Sequence, residues 1–200
     1  MSLSDDHARA VEQLSSGCDL AERLMLVPPS ASVRGLYFHN IERALSAAGR
    51  LDPYKALFPQ RFAAVLWHPA AEFLTRLVVG GALLAGPEKV HEGMFAIGLG
   101  NAVAFAESLL GRVMLGDLDR DPRRLLRQAI AGRRQSYSFG HWELSFPGER
   151  EAIVTMLEEY LYMDSYMLGA GQGTFDAVGV PVRAQVVMHD RFNGQYVFKW

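Results

Sequence analysis

The sequence predicts an α+β fold in which N-terminal helices pack on a C-terminal antiparallel sheet of order β-β-α-β-β. Three observations carry that expectation. Apolar residues recur at helical spacing through the first two thirds of the chain. From Tyr137 onward the period shortens to two, as in strands with one buried face. Turn signals, Pro147-Gly148 and Asp190-Arg-Phe-Asn-Gly194, separate the alternating runs. The chain has 200 residues, 50% of them apolar and 21% charged, enough to bury the core of one domain. The expected organisation is a partly helical N-terminal extension over 1–19 and a single α+β domain over 20–200.

Taken in order, Leu20 to Leu26 predicts a short helix stopped by Pro28-Pro29. Val33, Tyr37, Ile41, Ala44 and Ala48 predict a second, with Ser32 as N-cap and Gly49 as its stop. Leu51 to Leu66 is irregular, with a short helix near Tyr54. Pro69 opens a third helix, on which Phe73, Leu74, Leu77, Val78 and Gly81 share a face and Glu72 pairs with Arg76. After Gly86-Pro87 a long helix is expected to about Leu115, with His91, Phe95, Leu99, Ala102, Ala106, Leu109 and Val113 as its stripe. Gly93, Gly98 and Gly100 predict a close neighbour or a bend there. Asp121-Pro122 starts a further helix that Gly132 would close. Strands follow over Tyr137–Phe146 and Ala152–Leu161, the second chosen over a helix for its β-branched Ile153-Val154-Thr155. Asp164 to Val178 reads as a helix closed by Gly179, and Pro181–His189 with Gln195–Trp200 as a second hairpin.

Bulk chemistry removes several functions. A net charge of −2 gives no global field for nucleic acid or an anionic membrane. One cysteine, Cys18, makes neither an internal disulfide nor a cysteine-rich zinc site and fits a reducing compartment. Met1 to Gln13 carries Asp5, Asp6 and Glu12 and does not read as a signal peptide. Phe73 to Ala85 is too short to span a bilayer and carries Arg76. The expected location is the cytoplasm.

Several patterns carry a resemblance. They are Val33-Arg-Gly-Leu-Tyr-Phe38 with Ala44-Leu45 and Gly49, Gly100 to Gly111, and Asp121-Pro122-Arg123-Arg124-Leu125-Leu126. Tyr166, Gly169, Gly173, Phe175, Gly179 and the ending Tyr196-Val-Phe-Lys-Trp200 complete them. From about Leu20 to Trp200 the chain resembles a myxobacterial paralogous family of proteins of about this length and unknown function. That family is similar to a wider superfamily of heme-nitric-oxide-binding domains, vinyl-4-reductase domains and small TRAPP subunits. The resemblance implies a ligand sensor or scaffold subunit with an apolar pocket between helices and sheet. It is silent on chemistry, because its motifs are small and apolar residues.

Each motif with chemical potential has a plainer competitor. His91 on the long helix could ligate heme iron. The heme-binding relatives, however, hold the propionates with Tyr-x-Ser-x-Arg, and the nearest string here is Tyr137-Ser-Phe-Gly-His141. His91-Glu92 starts like a zinc-protease helix but meets Phe95 where the second histidine belongs. His141-Trp-Glu143 starts like a deaminase signature with no Cys-x-x-Cys after it. His141 and Glu143 share a strand face and could exchange protons, though a surface pair is the expected reading. Asp117, Asp119 and Asp121 alternate as in a calcium loop, but Pro122 replaces its glycine and Gln128 its last carboxylate. Gly169-Ala-Gly-Gln-Gly173 imitates a phosphate loop, yet antiparallel hairpins flank it, and packing explains it better.

The one charge cluster is Arg120, Arg123, Arg124, Arg127, Arg133 and Arg134. A solvated helix face is its ordinary reading. Its guanidinium forks also suit a partner interface, with Arg120, Arg123, Arg124 and Arg127 as the contact residues. The expected function is therefore a non-enzymatic binding or interaction module, forming homodimers, with no cofactor or metal. Its ligand is a small apolar molecule or lipid in a cleft lined by Phe38, Phe73, Phe95, Phe105 and Phe175. The rivals are a protein-interaction scaffold without a small ligand and a heme sensor using His91. A nucleic-acid partner and a membrane span are not expected.

Overall fold

The computed structural model describes residues 5–107 and 121–200. They form two compact units, the first up to Ile97 and the second from Gly98 to Trp200. The boundary falls inside one helix.

The first unit is helical. Helices α1 (Asp5–Leu14), α2 (Leu20–Leu26), α3 (Leu36–Ala47) and α4 (Leu51–Leu57) all contact α5 (Ala70–Ala85). Helix α5 is apolar around most of its surface, and Phe73, Leu74, Leu77, Val78 and Val79 are wholly buried. One cation lies among them. Arg76 is buried, donates from Nε to Glu72 at 2.7 Å and from Nη1 to the Gln60 carbonyl at 3.2 Å, and stacks on Phe62 and Phe58. Those bonds tie the irregular stretch around Gln60 to the helix. Beside it, burial raises the hydroxyl pKa of Tyr54 well above its usual value, with Arg76 opposing the shift.

Two short strands depart from the expected pattern. Ser32–Arg34 is strand β1, paired antiparallel with β2 (Trp67–Pro69), so Val33 and Ser32 lie outside α3. Helical periodicity extended too far there because a three-residue strand leaves no period of its own. Gly49 does stop the helix region, with φ +67. A 3₁₀ turn (Pro87–Lys89) leads into α6 (Val90–Glu107). The part of α6 within the first unit buries Val90, Met94 and Ile97, while His91 and Phe95 are half-buried. The buried stripe is thus rotated by about one residue from the expected one. The expected continuation of this helix beyond residue 107 lies outside the described residues, as do Arg120, Asp117 and Asp119.

The second unit contains α7 (Pro122–Ser136), β3 (His141–Gly148), β4 (Glu151–Leu157), a π-type turn (Met163–Met167), α8 (Leu168–Asp176), β5 (Arg183–Met188) and β6 (Gly194–Lys199). The β-β-α-β-β order is as the sequence predicts. All sheet neighbours are antiparallel, and the spatial order is β3-β4-β6-β5. The C-terminal strand is therefore central, and β3 is an edge. Val154 pairs with Tyr196 and Ala152 with Phe198, all buried on one face. Phe175 of α8 packs on Phe198 at 5.3 Å, and Tyr196 donates its hydroxyl hydrogen to the Met163 carbonyl at 2.6 Å. Burial holds the Tyr196 hydroxyl in its protonated form.

Small residues let backbones meet in this unit. A Cβ on Gly98 would stand 2.0 Å from the Tyr166 carbonyl oxygen, and one on Gly173 would stand 2.3 Å from that of Leu99. Within the Gly169–Gly173 string, Gly173 is therefore packing surface for α6, and Gly171 faces the Phe198 ring of β6. Asn101 donates to the Tyr166 hydroxyl at 2.8 Å within the same contact. Among the described residues no single helix is long and apolar enough to cross a membrane.

Candidate functional site

Asp121 accepts the backbone N–H of Arg123 at 2.9 Å, and Pro122 fills the first helical position. That cap explains Asp121 without calcium. Helix α7 then carries five arginines and no acid from Pro122 to Ser136. It runs four residues past Gly132, the expected stop. Nothing lies within 4 Å of a Cβ there, so this glycine sits on an open helix face instead of at a cap.

Helical spacing divides those arginines. Arg127 and Arg134 share a stripe with Ile130 and Ala131, at i, i+3, i+4 and i+7. That stripe forms one wall of an open groove of about 640 Å³. The other wall is strand β3, through His141, Trp142, Glu143, Leu144 and Phe146. Arg123 lies next to Phe146, outside the lining. It donates to the Gly148 carbonyl at 2.6 Å and, like Arg127, lies over the Phe146 ring, at 5.0 and 5.1 Å. Arg124 is exposed on the same helix.

Arg133 departs from the cluster. It turns inward and pairs with Glu159 at 2.6 Å, both side chains being at most 5% exposed. Its guanidinium stacks on Tyr137 at 4.1 Å and on Phe139 and Trp142 at 5.1 Å. Glu159 also accepts the Trp142 indole N–H at 2.9 Å and the Leu161 backbone N–H at 3.2 Å. This pair therefore fixes Trp142 in the groove wall from behind. Gly140, at φ +76, is the adjacent backbone. A Cβ there would lie 2.8 Å from Arg133 Nη2 and 3.2 Å from Glu159 Oε2.

The groove joins two candidates that the sequence left separate, the arginine helix and the His141–Glu143 strand. His141 Nε2 lies 3.2 Å from Glu143 Oε1, but both side chains are more than half exposed, which makes a solvated surface pair. None of the nine lining residues is a serine, threonine, cysteine or lysine nucleophile. Among the described residues no cluster of three or more His, Cys, Asp or Glu could hold a metal ion. What the groove offers is cations, aromatic faces and strand backbone.

Sequence reasoning missed Ile130, Trp142, Leu144 and Phe146 as lining, and Glu159 altogether. The first four were legible as the inward set of a strand and the fourth position of a helix stripe. Glu159 carries no sequence signal, since it meets Arg133 only through the fold. The aromatic candidates lie elsewhere. Phe38 and Phe73 are buried in the first unit, 5.3 Å apart, with Phe62 4.2 Å from Phe38. Phe95 is half-buried on α6, the side chain of Phe105 lies outside the described residues, and Phe175 is buried in the second unit.

Residues 26–200 match a family described as protein of unknown function (DUF2378), and the chain belongs to that family. No curated protein matches it. Solved structures with a similar fold are H-NOX proteins. A K. algicida point mutant in the Fe(II) unliganded state gives a TM-score of 0.63 at 9% identity over 83% of this chain and 95% of that one. A triple mutant from S. oneidensis in the Fe(II) ligation state gives 0.65 at 10% over 83% and 95%. A point variant of Tt H-NOX gives 0.66 at 11% over 83% and 94%.

The iron of those proteins raises the question of heme. At the clamp positions the Tyr137 hydroxyl lies 3.4 Å from that of Tyr166. Phe139 is buried and has no polar side-chain atom, and His141 is committed to Glu143. One hydroxyl and no arginine does not fit a propionate clamp, and His91 sits half-buried in the first turn of its helix.

Proposed function

We propose that this member of the DUF2378 family is a non-enzymatic binding module that engages its partner through the groove between α7 and β3. The observation carrying this reading is the composition of that groove. Arg127 and Arg134 stand across from Trp142, Leu144 and Phe146, and no serine, threonine, cysteine or lysine lines it. Guanidinium groups beside aromatic faces recognise carboxylates attached to apolar groups. Arg123 and Arg124 extend the same charge, and Arg120 belongs to it by sequence. The test is ligand-observed NMR with aryl carboxylates on the full chain and on an Arg127→Glu/Arg134→Glu variant. Saturable binding lost in the variant supports the reading, whereas equal binding to both places it elsewhere.

A second reading is a small apolar ligand or lipid sensed or carried against the aromatic residues of one unit, Phe38, Phe73 and Phe95 in the first or Phe175 in the second. Phe38, Phe73 and Phe175 are each at most 1% exposed, so such a ligand would enter by opening their packing. Native mass spectrometry of the purified cytoplasmic protein tests it. Extra mass that leaves on denaturation supports the ligand, a clean apo mass opposes it, and the same spectrum reads the proposed homodimer.

A further inference from the structure

The groove has a second property that side chains alone do not describe. Along β3 it is lined by His141, Trp142, Glu143, Leu144 and Phe146, five of six consecutive residues. Successive strand residues point to opposite faces. A groove lying on one face of β3 would therefore be lined by every second residue. This groove also touches the intervening residues His141 and Glu143, so it reaches past the Phe146 face toward the open edge of the strand. The sheet order β3-β4-β6-β5 leaves that edge without a strand partner among the described residues. Every second residue there directs its N–H and C=O away from β4, toward the groove.

We propose that the groove takes an acidic peptide segment of another protein in extended conformation, added antiparallel or parallel to β3 as a fifth strand. This rests on the binding-module reading and specifies its partner. Backbone hydrogen bonds to β3 would supply affinity, and alternate side chains of the peptide would point to opposite faces of the sheet. The charge determines which peptide. Arg127 and Arg134 line the groove, Arg124 is exposed on the same helix, and α7 carries no acid to offset them. Glu143 is the one carboxylate in the lining, and it is paired with His141. Acidic residues at alternate positions would share the face of Trp142, Leu144 and Phe146, where Arg127 lies over the Phe146 ring, and the side chains between them would share the face of His141 and Glu143.

A second copy of this chain is a poor occupant. Two β3 edges related by a twofold axis would bring arginine stripes together. Nucleic acid would use the same arginines but has no use for the strand edge.

The test is selection of a phage-displayed random peptide library on the full chain. The best peptide is then measured by fluorescence polarisation against three controls. These are the Arg127→Glu/Arg134→Glu chain, checked for unchanged circular dichroism and Tm, a peptide N-methylated at alternate backbone nitrogens, and oligothymidylate as competitor. The expected result is an enriched set with alternating Asp or Glu. Its affinity should fall at least about tenfold, a change of about 1.4 kcal/mol, with either charge reversal or N-methylation. Hydrogen exchange at residues 141–146 should slow when the peptide is bound. Loss on charge reversal with no effect of N-methylation would overturn strand addition while leaving the binding-module reading intact. No enrichment, or binding indifferent to charge reversal, would overturn both. Oligothymidylate binding more tightly than any selected peptide would assign the groove to nucleic acid and overturn the peptide.

Discussion

The guanidinium of Arg133 and the carboxylate of Glu159 meet at 2.6 Å in a place where neither side chain exceeds 5% exposure. Arg133 comes from α7 and Glu159 from the turn after β4, so the pair joins the helix wall of the groove to the sheet. Burying two charges is costly, and removing one partner leaves the other charged and dry. Glu159→Gln and Arg133→Met are each expected to destabilise the protein by about 3–5 kcal/mol in urea unfolding. The double change Arg133→Met/Glu159→Leu is expected to cost less than the sum of the two single changes. Additive costs would mean that the two side chains act independently.

The close approaches at Gly98 and Gly173 make a prediction of opposite signs on neighbouring elements. Gly98→Ala and Gly173→Ala place a methyl against backbone carbonyls that cannot rotate away. Each is expected to lower stability by about 1–3 kcal/mol. Gly132→Ala lies in the interior of α7 with nothing within 4 Å, and is expected to raise it by up to about 1 kcal/mol. Thermal unfolding of the three variants checks the set. A stabilising Gly98→Ala would show that α6 does not lie against Tyr166.

These two cases show what the sequence made legible. Period and turn chemistry located the sheet, its hairpins and every long helix in the described residues, because those signals are local. The Asp190 loop and the Gly49 stop were readable for the same reason. Strands β1 and β2 were not, since three residues carry no period and their pairing spans the chain between Arg34 and Trp67. The arginine cluster was visible as a string, but not that Arg133 belongs to the core while Arg127 and Arg134 face the groove. That division follows from which face of α7 the sheet covers, and Glu159, the residue that draws Arg133 inward, is separated from it by a hairpin. The meeting of the α7 stripe with the β3 edge is likewise a product of tertiary packing.

The β5–β6 hairpin turns on Asp190, whose carboxylate accepts side-chain hydrogen bonds from Asn193 and backbone ones from Phe192 and Asn193. These bonds, that from the Asn193 side chain foremost, lower its pKa below the reference 3.8. A carboxyl whose pKa is depressed on folding contributes stability above its unfolded pKa and loses it as pH falls through the folded value. Asp190→Asn is therefore expected to lower Tm at neutral pH, with the difference shrinking below pH 3.8. Carbon-detected NMR titration of the Asp190 carboxyl reads the pKa directly. A midpoint at or above the reference would remove the hairpin from the acid response.

If heme were held as in a Tyr-x-Ser-x-Arg site, residues 139 and 141 would supply a hydroxyl and a guanidinium. Here Phe139 packs at 5.9 Å on Tyr137 and 5.3 Å on Tyr160, and the His141 ring faces solvent with Glu143. The nearest buried cation, Arg133, is held by Glu159, and turning it to a propionate would break the pair that fixes Trp142. Hemin titrated into the purified full chain is expected to produce no saturable Soret band that depends on His91. His91→Ala is expected to titrate like the unaltered chain. A one-to-one band present in the unaltered chain and lost in His91→Ala would make this histidine an iron ligand. It would also show that the protein anchors the porphyrin by residues other than those at the clamp positions.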